Sequence, residues 1–298
     1  MAKLYSECIR CQVRSSLKRC PEHITEEQKV EYLQQALKII AETPKDVSAP
    51  IISRDLEQLR WQMFGVKREY EQEKVYFNQL MLEKETDIKE KILQAEEPLK
   101  RAIQYAMVGN YIDFAAVHKV EEEALNELLN DVEEQCPVDE VRFAEMKADL
   151  SSGKRLLYLT DNCGEIVLDK LLIEIIREQY PNLDITVMVR GEAVLNDAAV
   201  EDAIQVGLTE MVRVVDNGTN IAGTWMWEMP QEAKDELMKA DIIIGKGQGN
   251  FESMQGCGLN VYYIFLCKCK MFAEAFGVPS FTGMLIHDKD ALDKRKSV

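Results

Sequence analysis

The chain has 298 residues, 46% hydrophobic and 30% charged, which suits one large globular domain or two ordinary ones and excludes disorder. Its 52 acidic and 36 basic side chains leave a net charge of −16, which disfavours nucleic-acid backbones and anionic membranes as partners. The longest apolar runs, such as 261–267, are too short to span a bilayer, and the N-terminus lacks a signal-peptide core, so a cytoplasmic chain is expected.

Of the fifteen glycines, only Gly65 and Gly109 fall in residues 1–150. Glycine-poor, charge-rich sequence reads as helix. Thr25 and Gln28 form a capping box, and Val30, Leu33, Leu37 and Ile40 recur on one face, predicting a helix over 25–43. Residues 51–64, 67–96, 99–108, 119–130 and 138–150 continue the pattern, with Pro44, Pro50, Pro98 and Pro137 marking entries and breaks. Residues 1–150 are expected to form an all-helical bundle domain.

After Gly153 the period changes. Short apolar runs at 156–160, 185–189, 212–215, 241–245, 261–266 and 284–287 read as strands. Helical patterns at 166–179, 197–206, 231–240 and 269–276 separate most of them. Wholly apolar strands spaced by helices describe a parallel sheet covered on both faces. The fold class is therefore α/β, with a Rossmann-like, doubly wound, mainly parallel sheet over 151–298 following the N-terminal all-helical domain.

In such sheets ligands bind beyond the carboxyl ends of the strands. The turns there read Asp161-Asn162-Cys163-Gly164-Glu165, then Arg190-Gly191 with Asn196-Asp197, then Asp216-Asn217-Gly218-Thr219-Asn220, then Lys246-Gly247-Gln248-Gly249-Asn250-Phe251-Glu252. Any one of them could be an ordinary turn or helix cap. Four polar turns on one edge instead suggest a cleft whose carboxylate and amide oxygens suit Mg²⁺ or Mn²⁺. A lysine among glycines at a helix start suits a phosphate, so metal and phosphate together point to phosphoryl chemistry. The glycine-rich dinucleotide fingerprint, the P-loop and the serine nucleophile elbow are all absent.

The motifs 160–165, Arg190-Gly191-x₄-Asn196-Asp197-Ala198 and 246–252, with Gly109-Asn110-x-Ile112-Asp113 and Phe276-Gly277-Val278-Pro279, resemble the damage-control phosphatase family. That family was long a domain of unknown function, and one human member is also named an acidic-residue methyltransferase. Cys8-x₂-Cys11 is similar to the microbial, stand-alone branch. The resemblance implies a metal-dependent phosphomonoesterase using Mg, Mn, Co or Ni on small phosphorylated metabolites: sugar phosphates, damaged cofactor precursors or nucleotides. Carried over, Asp161, Asn162 and Asp197 would bind the metal, with Asp161 and Glu165 at the reacting centre. Lys246, Gly247, Gln248, Gly249 and Asn250, with Arg190 and Asn196, would hold the phosphate. Lys246 and Asn250 depart from the Glu and Arg of another branch, so substrate preference does not transfer. The attacking group is a water or the Asp161 carboxylate; water is favoured because a carboxylate that ligates a metal tightly is the poorer nucleophile.

Two other functions compete: an S-adenosylmethionine-dependent carboxyl methyltransferase and a non-enzymatic phosphometabolite sensor. Cys8, Cys11, Cys20 and His23 form two short pairs that could hold a structural zinc ion, with Cys269 a substitute for His23. Cys136, Cys163, Cys257 and Cys267 read as packing or turn residues. His118 and His287 read as solvated or core histidines, so acid–base work falls to carboxylates or water. Trp225 and Trp227 either line a pocket or pack on a helix. Asn110 and Asp113 are placed to reach the cleft from the helical half. No feature of the sequence specifies an oligomeric state.

Overall fold

A computed structural model of the chain describes residues 3–65, 70–113 and 120–293. His118 lies outside the described residues. The first half contains α1 (Ser6–Lys18), α2 (Glu26–Glu42), α3 (Ala49–Phe64), α4 (Glu71–Leu93), α5 (Pro98–Gly109), α6 (Glu122–Asn130), α7 (Val132–Gln135) and α8 (Glu140–Ser152). Thr25 caps α2 as expected: its hydroxyl accepts from Gln28 N at 3.2 Å, and Gln28 Oε1 accepts from Thr25 N at 2.9 Å. The buried stripe of α2 is Tyr32, Ala36 and Ile40, however, and Val30 and Leu37 are exposed. The i, i+4 row packs on Ile52, Leu56 and Leu59 of α3, which turns the expected face by part of a turn.

The second half alternates β1 (Arg155–Leu159), α9 (Glu165–Gln179), β2 (Asp184–Val189), α10 (Val200–Gln205), β3 (Arg213–Asp216), α11 (Gln231–Lys239), β4 (Ile242–Lys246), α12 (Gly247–Met254), β5 (Val261–Leu266), α13 (Lys270–Phe276), β6 (Gly283–His287) and α14 (Asp288–Asp293). The strand order is β3-β2-β1-β4-β5-β6, parallel except for β6, which pairs antiparallel with β5. Successive strand residues serve opposite layers. Leu156, Tyr158, Ile244 and Ile264 join one core, and Leu157, Leu159, Ile243 and Phe265 join the other.

The first of these cores also contains Phe77, Met81, Ile92, Ile103 and Met107, so helices from α4 onward share apolar interior with the sheet. The three helices α1–α3 have a small core of their own. It reaches the sheet side through Ile51, which packs with Ile221 and Trp225, and through the Arg54–Glu228 ion pair. Among the described residues no helix is long and apolar enough to cross a membrane.

At the antiparallel edge, buried His287 is held as a neutral ring. Its Nδ1 accepts from Lys289 N at 3.1 Å, and its Nε2 meets Asn260 Oδ1 at 2.8 Å. Burial first, then Lys289, pushes its pKa below the ordinary value of 6.5. A histidine with a depressed folded-state pKa stabilises the fold above about pH 6.5 and loses that contribution as pH falls through the folded value. His287→Gln should therefore flatten the decline in thermal stability between pH 7 and pH 5, measured by calorimetry. An unchanged slope would contradict this assignment.

Chain order reverses between β1 and β4, the neighbours at the centre of the sheet. The crevice at their carboxyl ends is the topological switch point.

Candidate active site

The loop after β1 is stitched to the loop after β2 by main-chain bonds. Ala198 N donates to Asp161 O at 2.7 Å and Cys163 N donates to Asn196 O at 2.8 Å, so Asn162 and Asp197 pair as an isolated antiparallel bridge. Positions 161, 162 and 197, separate in sequence, thus meet at one place. The stitching also explains why α10 begins at Val200 rather than at 197: Leu195 and Asn196 lie in a turn closed by Asp197 N on Val194 O, and residues 196–198 are bonded to the neighbouring loop. Leu195, just before them, holds a φ of 48°, a left-handed conformation costly for a non-glycine residue.

The side chains build inward from that ladder. Arg190, at the end of β2, spans the two aspartates: Nε donates to Asp197 Oδ2 at 2.7 Å and Nη2 to Asp161 Oδ1 at 3.3 Å. Its Nη1 donates to Asn250 Oδ1 at 3.2 Å. On the other side of Asp161, two amides clamp it edge to edge with Glu165. Asn110 Nδ2 lies 2.9 Å from Asp161 Oδ2 and 3.0 Å from Glu165 Oε2, and Asn162 Nδ2 lies 2.8 and 2.9 Å from the same two oxygens. Asn110 ends α5 and is locked by Leu266 N, which donates to its Oδ1 at 3.1 Å. The helical half therefore contributes directly to the site. Asp113 lies at its rim, paired with Lys268 at 2.6 Å.

Residues 246–250 are the end of β4 and the first turn of α12, not an open loop. Gly247 stands against Asp161, with a φ of 78°. A Cβ there would lie 1.9 Å from Asp161 Oδ2. Gln248 Oε1 accepts from Lys268 N and Cys269 N, at 3.1 and 3.0 Å. Gly249 is pressed on the 222–223 backbone. Asn250 donates to Thr160 O and Lys246 O and accepts from Thr224 Oγ1, tying the switch-point strands together. Lys246 turns inward. Its ammonium donates to Glu165 Oε1 at 2.7 Å, Asp169 Oδ1 at 2.7 Å and Ala106 O at 2.9 Å.

Other residues singled out in the sequence lie elsewhere. Asn196 Nδ2 donates to Ile112 O at 3.0 Å, fixing the second loop to the helical half. The third-strand turn interlocks with the second: Asn217 Oδ1 accepts from Gly191 N and Thr219 N. Trp225 is buried with Ile51 and Ile221, and Trp227 is exposed. Cys8, Cys11, Cys20 and His23 are not brought together. Cys8 and Cys11 lie on α1, where burial, then the Glu252 carboxylate, pushes the Cys8 thiol up to about 12, with the Cys269 thiol nearby. Cys20 instead sits near Lys29, Arg60 and Glu26, and His23 is exposed. Among the described residues, no three His, Cys, Asp or Glu side chains stand ready as metal ligands.

The principal carboxylates and cations of the site are nearly or wholly buried. Among the described residues, Asp161, Glu165, Asp169 and Asp197 are ion-paired to Arg190 and Lys246, four carboxylates against two cations when all are ionised, and the nearby Lys74 is itself bridged to Asp202. Burial, then Asp197 and Glu165, holds the Asp161 carboxyl well above the ordinary range. Burial raises Asp197 to about 6 against the opposing pull of Arg190. Two unbalanced charges, oxygen donors and the space beside Asp161 that a Cβ at Gly247 would fill fit a divalent cation.

Fold and site together define a Rossmann-like α/β protein with an acidic, amide-rich centre at its switch point. The chain belongs to the damage-control phosphatase family: residues 4–282 match the damage-control phosphatase ARMT1-like domain. A damage-control phosphatase of Archaeoglobus fulgidus is 31% identical over 252 residues, covering 83% of this chain and 85% of that protein. Damage-control phosphatase PH1575 of Pyrococcus horikoshii is 29% identical over 282 residues, covering 93% and 95%. The crystal structure of a DUF89 family protein from P. horikoshii superposes with a TM-score of 0.77 at 24% identity, over 97% of this chain and 100% of the other, so the fold is shared.

Proposed function

We propose that the chain is a metal-dependent phosphomonoesterase acting on small phosphorylated metabolites. The observation that carries this reading is the meeting of Asp161, Asn162 and Asp197 beside Arg190, at the opening turn of α12. The names of the two archaeal relatives support the phosphatase class.

Asp161, Asn162 and Asp197 would hold the cation. When bound, it would neutralise phosphate oxygens and help align the reacting groups. Arg190 would be the phosphate-facing cation: among the described residues three of its five N–H groups are used, by Asp197, Asp161 and Asn250, which leaves two for a phosphoryl oxygen. The first N–H groups of α12, at Gly247, Gln248 and Gly249, add donors beside Asp161. Asp161 and Glu165, clamped by two amides, form a carboxylate pair able to take the proton of an attacking water. Lys246 has all three protons engaged, which supports a role behind Glu165 rather than on the phosphate.

Hydrolysis of p-nitrophenyl phosphate should be seen with Mn²⁺, Mg²⁺, Co²⁺ or Ni²⁺, disappear with EDTA and return on adding the metal. Turnover unaffected by EDTA would remove the metal from the mechanism. Methyl transfer from S-adenosylmethionine to a carboxylate, or tight phosphate-ester binding without hydrolysis, would favour the competing functions.

A further inference from the structure

Behind Glu165 the polar chain continues inward, where nothing in the phosphatase reading requires it. Lys246, Asp169 and Tyr158 are fully buried. Asp169 sits on α9, one turn beyond Glu165, wholly buried after Ile166, Val167 and Leu168, whereas the neighbouring Lys170 turns outward to Glu85. Its Oδ1 accepts from both Lys246 Nζ, at 2.7 Å, and Tyr158 OH, at 2.8 Å. Its buried Oδ2 meets no donor among the described residues. A buried carboxylate with one bare oxygen is costly, and an apolar residue would serve packing better.

We propose that Asp169 is a positioning residue for Glu165, acting through Lys246. This rests on the phosphatase reading and assigns a role in it to a residue that does not reach the cleft. The ammonium has one neutral acceptor, Ala106 O, and two anionic ones. Held by Asp169 from behind, it fixes Glu165 Oε1, leaving Oε2 to the Asn110 and Asn162 amides that align Asp161. Burial raises the Asp169 pKa, and the Lys246 ammonium at 2.7 Å opposes that rise and favours the ionised form. Without its charge, Lys246 keeps a single anionic anchor, and Glu165 is free to follow the ammonium away from the amide clamp.

The test compares Asp169→Asn, Glu165→Gln and the double variant in p-nitrophenyl phosphate hydrolysis with Mn²⁺. Asp169→Asn should lower kcat about 30-fold, within the range for misplacement of a catalytic group. KM and Mn²⁺ affinity, read by electron paramagnetic resonance, should stay within about twofold. In the Glu165→Gln background the same substitution should have no further effect on kcat, because residues acting as a unit do not add. Multiplicative losses in the double variant would overturn the proposal, as would an Mn²⁺ affinity that falls in parallel with kcat.

A second readout is independent of turnover. In ¹⁵N-lysine-labelled protein the Lys246 ammonium, assigned by its loss in Lys246→Arg, should exchange slowly with water and become fast in Asp169→Asn. Unchanged exchange would overturn the positioning role even if the protein proved to have no phosphatase activity. An inactive wild type with the expected change in exchange would reject the phosphatase reading alone.

Discussion

Asp161→Asn should abolish turnover: kcat/KM for p-nitrophenyl phosphate with Mn²⁺ is expected to fall by at least about 10³-fold, the scale on which transition-state charge stabilisation operates. The amide keeps the shape of the carboxylate, but it removes one of the two charges that a cation would meet at the bridge and places an N–H where only an acceptor fits. Two amides and one guanidinium already donate to this carboxylate, so either orientation of the substituted amide points a donor at a donor.

The same substitution has a consequence that does not depend on catalysis. Saturating Mn²⁺ should raise the wild-type Tm by about 5 °C, as expected for a ligand near 100 times its Kd, and should raise that of Asp161→Asn by less than about 1 °C. The wild-type gain should also shrink as pH drops. Asp161 and Asp197 have raised folded-state pKa values, so without a cation their ionisation opposes folding, and the stability they contribute decreases as pH rises from about 3.8 through the folded values. A cation must displace those protons. The Mn²⁺ shift should therefore be large at pH 7.5 and small at pH 5. Retention of a tenth of the activity by Asp161→Asn, or a full Mn²⁺ shift in it, would sink the assignment.

Gly247→Ala is expected to be nearly as damaging, although it deletes no functional group. A methyl group there would stand 1.9 Å from Asp161 Oδ2, and the backbone holds a φ of 78°. The left-handed conformation alone costs about 1–2 kcal/mol. The clash must then be relieved by moving Asp161 or the start of α12, and displacement of a reacting group by about 1 Å costs roughly 100-fold in rate. kcat/KM should fall by at least that factor and Tm by about 5 °C. Gly207→Ala is the control: its φ is also positive, at 75°, but a Cβ there meets nothing within 4 Å, so it should lower Tm slightly and leave kcat/KM unchanged. Equal effects on activity would mean that backbone strain, not crowding of Asp161, is the cause.

Much of this was readable from the amino-acid order, for physical reasons. Runs such as Ile242–Lys246 and Val261–Leu266 are wholly buried, so their strands announce themselves as apolar blocks between glycine-marked turns. The meeting of 161, 162 and 197 follows from parallel topology, which collects carboxyl-end turns on one edge. Lys246 reads as standing at a helix start, but α12 itself has no helical pattern to extend it, because its opening turn contains Gly247, Gly249 and Asn250, residues that ordinarily disfavour helix. The N-terminal α1 was hidden in the same way, since Cys8 and Cys11 read as a chelating pair rather than as one turn of helix. The inward course of Lys246 depends on Glu165 and Asp169, which belong to another element. The clue was the charge at 169, one helical turn from Glu165 and on the helix face of Ile166, Leu172 and Ile173, with Lys170 beside it on the outer side. The left-handed backbone of Leu195 has no sequence signature.

The guanidinium of Arg190 spanning Asp161 and Asp197 bears on how the polypeptide matures. Because an intrinsic counter-charge already links the two loops, the architecture can assemble before any ion arrives, unlike small modules that remain unfolded until their metal is captured. If the proposed metal dependence holds, biosynthesis in metal-starved cells should yield intact, dormant protein that later supply switches on, rather than protein degraded for want of the ion.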